Sequence, residues 1–431
     1  MVIQYPIHIP QEAPAVNRAA GRSLNGKRAC RAGEYVAGRR LLAENGGMRG
    51  IYVHIPFCVK KCAYCDFYSV VGDREAIADF CTLLVREMDL FAGKFPGEAA
   101  APADTVFFGG GTPTALGAEA LCGLLIALRE RFYITKDAEV TTEANPGTVS
   151  AEDFRELKSA GFNRVSIGVQ SFTPRTLLTL GRVHGVEEVR GAHRDARRAG
   201  FSSIGMDLIF GVPGQEASGW EADLERTVTF LPAHVSAYAL APEPGTPIHA
   251  AIRSGTLRMP PDDDVADMYE AARASLSLAG YRHYEISNFA RPGEECRHNI
   301  KYWRREEYAG FGPSAHGLLF PHGEGPLGVR TENPASLPDY RRRIDKGSLP
   351  WENVHACSLD DAWKESLITG LRMLEGIDLT EIGKRIGPPP ESVRRAVESL
   401  LRAGKLREDG SRLRLQAGAL FISNEALQAL A

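Results

Sequence analysis

The sequence lacks the features that would place the chain in a membrane, in a secretory pathway or on nucleic acid. No apolar stretch among its 431 residues approaches the roughly 18 residues that a membrane-spanning helix needs. The 51 lysines and arginines are balanced by 54 aspartates and glutamates, which excludes a globally basic surface. The first 47 residues contain no apolar segment of the kind found in secretory signals. These absences favour a cytoplasmic enzyme or binding protein.

Cysteine is too sparse for a disulfide scaffold. The chain has eight cysteines, and a small secreted domain would carry them at a much higher density. Three of them, Cys58, Cys62 and Cys65, fall within eight residues, whereas the others are scattered. In a reducing compartment, such a group of thiols is typical of metal binding.

The chain divides into four predicted segments. Residues 1–47 show no sustained hydrophobic period and are rich in basic residues, so we expect a disordered or loosely attached extension. Met48 directly precedes the first predicted strand and is an alternative start of translation. Residues 48–255 are the expected barrel domain, residues 256–355 extend it, and residues 356–431 form a separate C-terminal domain.

Strand and helix patterns alternate along the second segment, which predicts an α/β fold. Between the first two strands, apolar residues such as Phe80, Leu84 and Met88 keep the spacing of an amphipathic helix. Repeated units of this kind predict a parallel sheet, curved into a full or partial barrel. The predicted strands are residues 51–55, 105–108, 139–142, 164–169, 204–210 and 235–240.

The C-terminal segment resembles a winged-helix module. It reads as three helices at 361–374, 379–386 and 390–403, followed by a hairpin at 406–415 that turns at Asp409 and Gly410. Basic side chains on this module are matched by nearby acidic ones, so we expect no nucleic-acid partner.

The cysteine loop offers two kinds of metal site. Three thiolates on one short loop can bind three irons of a cubane cluster and leave the fourth iron open. An open iron can chelate the amino and carboxylate groups of a methionine moiety. The alternative is a structural zinc, with His54 as the fourth ligand.

Further polar or flexible residues follow the other predicted strands. Three glycines at 109–111 allow a ligand to approach the backbone closely. Glu143 and Asp207 are suited to bind hydroxyl or ammonium groups, and Arg182 to pair with a carboxylate. Because the carboxyl ends of barrel strands share one rim, we expect these residues to lie together.

At this point the sequence resembles a known family. The motifs YVHIPFC with CxxxCxxC, GGGTPT, TTEANP, SIGVQSF, GRVH and DLIFGVPGQ are similar in order and spacing to radical S-adenosylmethionine proteins related to oxygen-independent coproporphyrinogen III oxidase. The resemblance covers about residues 50–425. It implies a 4Fe–4S cluster on Cys58, Cys62 and Cys65, and an incomplete (β/α)6 barrel with a C-terminal helical, winged-helix-like domain. It also implies a set of residues that contact S-adenosylmethionine: Tyr52, Tyr64, Gly110, Gly111, Thr112, Glu143, Gln170, Arg182, Asp207 and Ala241.

Two features separate the branches of this family. The oxidase pattern has a further cysteine two residues after CxxxCxxC, where this chain has Phe67. Heme chaperones of the HemW type carry an HNxxYW motif, present here from His298 to Trp303. The resemblance therefore favours the heme chaperone branch.

The HNxxYW segment also has the chemistry that heme requires. Heme needs an axial ligand, flat apolar neighbours and cations for its two carboxylates. Cys296 or His298 would ligate iron, and Tyr302 and Trp303 would flank the ring. The basic side chains of the same stretch would meet the carboxylates.

The leading hypothesis is a heme chaperone with a 4Fe–4S cluster, S-adenosylmethionine as cofactor and heme as cargo. Its partners would be heme-accepting proteins, and the sequence leaves a homodimer open. The alternative is an oxygen-independent coproporphyrinogen III oxidase, in which S-adenosylmethionine yields a radical that abstracts hydrogen from a propionate side chain.

Overall fold

The structure is a computed structural model that describes residues 48–321 and 325–430. The extension expected at residues 1–47 lies outside the described residues. The described chain contains one twelve-stranded sheet and one three-stranded sheet. None of its helices is long and apolar enough to cross a membrane.

Six parallel strands form the centre of the large sheet, in chain order, as the alternating pattern predicts. Each of them overlaps its predicted segment. They are buried almost throughout because helical connections cover a parallel sheet. The strands are β1 (Arg49–Ile55), β2 (Ala103–Gly110), β3 (Ile134–Ala144), β4 (Arg164–Gln170), β5 (Ser203–Phe210) and β6 (His234–Ala239).

Helices connect these strands. The first is capped by Asp73, whose side chain accepts a hydrogen bond from the Ala76 amide. It buries Phe80, Leu84 and Met88, which confirms the predicted amphipathic helix. The helices are α1 (Arg74–Lys94), α2 (Pro96–Ala100), α3 (Ala118–Arg131), α4 (Ala151–Ala160), α5 (Pro174–Thr179), α6 (Val186–Arg198) and α7 (Ala217–Thr229).

The following segment lengthens the sheet at both ends. Strand β9 (Tyr308–Phe311) pairs in parallel with β1, and β8 (Asn288–Ala290) pairs antiparallel with β6. The sheet ends at β12 (Asn353–Ala356) and at β7 (Arg282–Glu285), so it is an incomplete barrel, as expected. The strands are β7 (Arg282–Glu285), β8 (Asn288–Ala290), β9 (Tyr308–Phe311), β10 (His316–Leu319), β11 (Val329–Glu332) and β12 (Asn353–Ala356). The helices are α8 (Pro247–Arg253), α9 (Asp262–Leu278), α10 (Arg297–Trp303) and α11 (Leu337–Asp345).

The C-terminal part contains the three predicted helices and the hairpin. The first helix ends at Gly370, before the predicted limit. Asp409 pairs with Arg412, so the hairpin turns at Gly410 and Ser411 and the predicted turn at Asp409 is wrong by one residue. Gly410 supplies the positive φ that a two-residue turn requires. The elements are α12 (Leu359–Gly370), β13 (Ile377–Asp378), α13 (Leu379–Ile386), α14 (Glu391–Arg402), β14 (Leu406–Asp409), β15 (Arg412–Leu415) and α15 (Ser423–Gln428).

Candidate functional site

The carboxyl ends of the parallel strands surround one open pocket. The cysteine loop follows β1, the glycine run ends β2, and polar residues come from β3, β4 and β5. This is the rim where loops of a barrel converge. Its lining includes Cys58, Cys62, Cys65, Tyr64, Gly110, Gly111, Thr112, Glu143, Gln170, Arg182 and Asp207.

The three thiols of the loop are free, and two of them face side-chain hydrogen-bond donors. The Thr112 hydroxyl donates to Cys58 Sγ over 3.5 Å, and Arg182 Nη1 donates to Cys62 Sγ over 3.4 Å. Burial and, to a smaller extent, the neighbouring thiols raise the pKa of the Cys65 thiol to about 12, although a hydrogen bond from the Phe67 backbone lowers it. A bound metal would deprotonate such thiols, and the two donors would stabilise the resulting negative sulfur.

His54 does not complete a zinc site with these cysteines. Its Nδ1 lies 3.1 Å from the Tyr52 hydroxyl, and its Nε2 lies 3.0 Å from the Tyr68 carbonyl oxygen. Both ring nitrogens therefore have partners inside the protein, and the zinc alternative with His54 as fourth ligand is wrong for this geometry. In the described part of the chain, no group of three or more His, Cys, Asp or Glu side chains is arranged around the position of a single metal ion, which a mononuclear zinc site would require and a multi-iron cluster would not.

The glycine run is required by the space around it. Gly110 has φ of +108°, and a Cβ there would lie 2.5 Å from the His54 ring. A Cβ at Gly111 would lie 2.7 Å from the Phe57 carbonyl oxygen, which is backbone and cannot turn away. The Gly110 amide donates to Glu143 Oε2 over 3.3 Å, so the run is also tied to β3.

Gln170 is strained and incompletely bonded. It has a positive φ of 65°, which is uncommon for a residue with a side chain, and the β4–β5 register shifts beside it. Its Oε1 is buried without a hydrogen-bond partner in the structure. Backbone strain and an unpaired polar atom in a pocket are typical of functional positions.

Arg182 is held by two residues that sequence reasoning missed. Its Nη2 donates to Asn145 Oδ1 over 2.7 Å, and Asn145 Nδ2 in turn donates to Thr112 Oγ1 over 2.8 Å. His184 Nδ1 lies 3.3 Å from the same guanidinium, and its other nitrogen lies 3.0 Å from the Val169 carbonyl oxygen. Asn145 lies in the motif TTEANP and His184 in the motif GRVH. Membership in these motifs was the feature of the sequence that could have identified both residues.

Asp207 and Ser166 form a second fixed pair in the pocket. The Ser166 hydroxyl lies 3.1 and 3.0 Å from the two Asp207 carboxylate oxygens. The pairing holds an acidic group near Glu143 along the same rim. Ser166 is a further lining residue that was not predicted.

Two of the residues implied to contact S-adenosylmethionine lie outside the pocket lining. Tyr52 is buried on β1, where its hydroxyl meets His54. Ala241 lines an adjoining cavity of about 350 Å³. That cavity shares Tyr64, Cys65 and Phe67 with the pocket. Its other walls come from the ends of β5 and β6, from α9 and from the C-terminal part. They include Tyr238, Leu240, Tyr269, Arg372, Leu420 and Phe421.

The HNxxYW motif forms α10 and lines neither the pocket nor the cavity. His298 is fully buried, with Nδ1 2.8 Å from Thr105 Oγ1 and Nε2 2.7 Å from the Tyr302 hydroxyl. Burial lowers its pKa to about 3, so the ring is neutral and both nitrogens are used. Cys296 and Trp303 are buried as well. The expected heme contacts of these residues stay a prediction, and the geometry opposes iron ligation by His298 in this conformation.

Known families and proteins match most of the chain. The Radical SAM superfamily model matches residues 52–227, and the HemN C-terminal domain model matches residues 357–422. The heme chaperone HemW of Mycobacterium tuberculosis is 36% identical over 385 residues, which are 88% of this chain and 94% of the relative. The heme chaperone HemW of Escherichia coli is 34% identical, over 87% of this chain and 96% of the relative.

The fold also matches a solved structure. The coproporphyrinogen III oxidase HemN from Escherichia coli superposes with a TM-score of 0.75 at 24% sequence identity. The match covers 92% of this chain and 93% of the oxidase. At this identity the likeness shows a shared fold.

Proposed function

The chain belongs to the HemW family of heme chaperones, within the radical S-adenosylmethionine superfamily, and from this premise we propose that it binds heme and delivers it to acceptor proteins. We also propose that it holds a 4Fe–4S cluster and S-adenosylmethionine. One observation carries the cofactor proposal: the three cysteines and eight of the ten implied cofactor residues line a single pocket.

The residues of the pocket fit both cofactors. Three unpaired thiols on one loop suit a cubane cluster with one open iron, which an amino acid carboxylate and amine would complete. Arg182 is rigidly held beside Cys62, and the unpaired Gln170 Oε1 offers an acceptor for an ammonium or hydroxyl group. A bound and reduced cluster supplies an electron to a sulfonium centre. Because the free thiols have to stay reduced, we place the protein in the cytoplasm.

Heme as cargo is supported by the names of the relatives, and the cavity adds a chemical argument. Its aromatic side chains, such as Tyr269 and Phe421, suit the flat face of a tetrapyrrole. Arg372, which pairs with Glu285 over 3.3 Å, adds a cation to the wall of the cavity. The cavity adjoins the cysteine loop.

The alternative function is the coproporphyrinogen III oxidase. A cavity beside the cofactor pocket is what that reaction would need. Phe67 favours the chaperone, since it lines both the pocket and the cavity where the oxidase pattern has a cysteine.

One anaerobic experiment separates the two functions. The cluster is reconstituted in the full chain, and heme binding is followed by absorption while coproporphyrinogen III turnover is assayed with reductant and S-adenosylmethionine. We expect a Soret band and no decarboxylated product. The triple variant without Cys58, Cys62 and Cys65 controls for reactions that do not need the cluster. Formation of protoporphyrinogen IX by the wild-type protein alone would restore the oxidase.

A further inference from the structure

Helix α10 is fixed to the amino ends of the barrel strands, away from the cofactor pocket. The Glu139 carboxylate accepts hydrogen bonds from the Arg297 amide over 3.1 Å and the His298 amide over 3.0 Å. A carboxylate at this position satisfies the free amides at the helix start. Lys301, which is buried, places Nζ 2.8 Å from Asp104 Oδ1. These contacts fix α10 against β2 and β3.

From this position His298 reaches into the interior of the sheet. Its ring stacks on Phe107 with centroids 5.3 Å apart and on Tyr52 with centroids 6.4 Å apart. Gly50 allows this approach, because a Cβ there would lie 3.2 Å from His298 Cε1. The imidazole therefore packs against Tyr52 of β1 and Phe107 of β2 from the side of the amino ends of the strands.

The contacts continue from Tyr52 to the cofactor pocket. The Tyr52 hydroxyl meets His54 Nδ1, and the His54 ring occupies the space beside Gly110 that a side chain would need. His54 Nε2 also meets the carbonyl of Tyr68, on the segment that follows the cysteine loop. A chain of direct contacts thus runs from His298 through Tyr52 and His54 to the backbone of the glycine run.

We infer that His298 is a positioning residue for S-adenosylmethionine binding, acting through Tyr52 and His54 on the backbone at Gly110. The inference rests on the proposed function, since it requires the pocket to bind S-adenosylmethionine. Removing the imidazole leaves space beneath Tyr52 and Phe107. Tyr52 can then move from His54, and the glycine run loses the ring that supports it.

The test compares reconstituted full-length proteins under anaerobic conditions. For His298→Ala we expect unchanged iron content and S-adenosylmethionine affinity weakened by roughly 3- to 30-fold, the range found for residues that act through packed neighbours. The electron paramagnetic resonance spectrum of the reduced cluster should respond less to added S-adenosylmethionine. The matched control is His193→Ala, because His193, on α6, is also buried and packs edge-on against the Phe230 ring.

A double variant tests the route. Tyr52→Phe removes the hydroxyl that meets His54 and keeps the stacked ring. If His298 acts through Tyr52, the two changes are not additive, and the double variant binds S-adenosylmethionine about as weakly as His298→Ala alone. Additive losses would overturn the route through Tyr52.

Other outcomes separate this inference from the proposed function. A wild-type protein that fails to bind S-adenosylmethionine would contradict the proposed function itself. Wild-type binding together with equal affinity in His298→Ala, or an equal loss in His193→Ala, would overturn the positioning role. A His298→Ala protein that loses its heme spectrum but keeps its S-adenosylmethionine affinity would instead make His298 a heme ligand.

Discussion

Gly111 shows how far the pocket depends on one missing side chain. The segment passes so close to β1 that its amide donates to the Ile55 carbonyl oxygen over 2.8 Å, while the next amide, of Thr112, donates to the Phe57 carbonyl oxygen over 2.7 Å. The path of the backbone therefore leaves no room for a Cβ. The two acceptors, Ile55 and Phe57, lie just before Cys58 in the chain. These hydrogen bonds therefore hold the glycine run against the start of the cysteine loop.

Gly111→Ala is expected to weaken S-adenosylmethionine binding by roughly 5- to 150-fold, because overpacking against backbone costs about 1–3 kcal/mol. Equilibrium dialysis on the reconstituted protein measures the affinity. Gly123→Ala is the matched control, since nothing lies within 4 Å of a Cβ at that position. Equal affinities in the two variants would contradict the steric argument.

The three loop cysteines are expected to hold all of the cluster iron. Changing Cys58, Cys62 and Cys65 to Ala should abolish iron binding and the cluster absorbance, whereas changing Cys81 and Cys122 should leave both intact, since those two thiols pack against the hydrophobic core. Iron analysis after reconstitution measures the difference. Equal iron in the triple variant, or stoichiometric zinc in protein purified without oxygen, would refute the assignment.

At the scale of elements, Glu87 joins three parts of the fold around a buried carboxylate. It lies on α1 and accepts hydrogen bonds from the Gly312 amide, the Asn333 side chain and the Tyr340 hydroxyl, at 2.7, 2.7 and 2.6 Å. Burial raises the pKa of Glu87 to about 7, although the three donors lower it. The contacts connect α1 with the loops around β9 to β11 and with α11.

The raised pKa predicts a pH-dependent stability. The folded state favours the protonated carboxyl, so the free energy of unfolding should fall by up to about 3 kcal/mol as pH rises through the window between the ordinary carboxyl pKa and about 7. Below that window the loss of stability caused by ionising Glu87 is absent, and above it the loss is complete.

Glu87→Gln should flatten this dependence, because an amide keeps the shape without the titration. Denaturant unfolding of both proteins at about pH 5 and about pH 8 measures the change. The quantity compared is the difference in the free energy of unfolding between wild type and Glu87→Gln. If this difference is the same at both pH values, the pKa of Glu87 is not raised.

At the scale of the whole molecule, the barrel and the C-terminal part share a hydrophobic core. Trp363 and Leu367 of α12 belong to the same buried cluster as Ile51 of β1. A buried ion group reinforces this junction: Glu365 Oε2 lies 2.7 Å from Arg305 Nε, and Glu365 Oε1 lies 2.9 Å from Arg330 Nε. Because Arg305 lies two residues after the end of α10, the junction also supports the HNxxYW helix.

Glu365→Gln is expected to destabilise the protein by about 3–5 kcal/mol, since it leaves the buried Arg305 without its charge partner. The free energy of unfolding in denaturant measures the loss. Glu391→Gln is the matched control, because its partners Arg394 and Arg395 are exposed and surface pairs contribute little. Similar losses in the two variants would show that burial does not decide the outcome.

Much of the fold and of the cofactor pocket could be predicted from the sequence, because both depend on local patterns. The alternation of β-rich and helical segments predicted the six parallel strands, and the amphipathic period predicted α1. Parallel strands bring their carboxyl ends to one rim, so residues such as Glu143 and Gln170 could be placed together without coordinates. The individual roles of Asn145 and His184 could not, since they depend on side-chain orientation.

The position of the HNxxYW motif was decided by the tertiary structure alone. The motif predicted residues that contact heme. In the structure, His298 is instead hydrogen-bonded to Thr105, which lies 193 residues earlier in the chain. Burial of a polar ring depends on which distant residues supply its partners, and no local pattern encodes that pairing. The sequence by itself determined the cysteine loop, the glycine run and the order of the strands. Each of these features depends on residues that are close together in the chain. The interior path from α10 to Gly110 required packing between elements that only folding brings together.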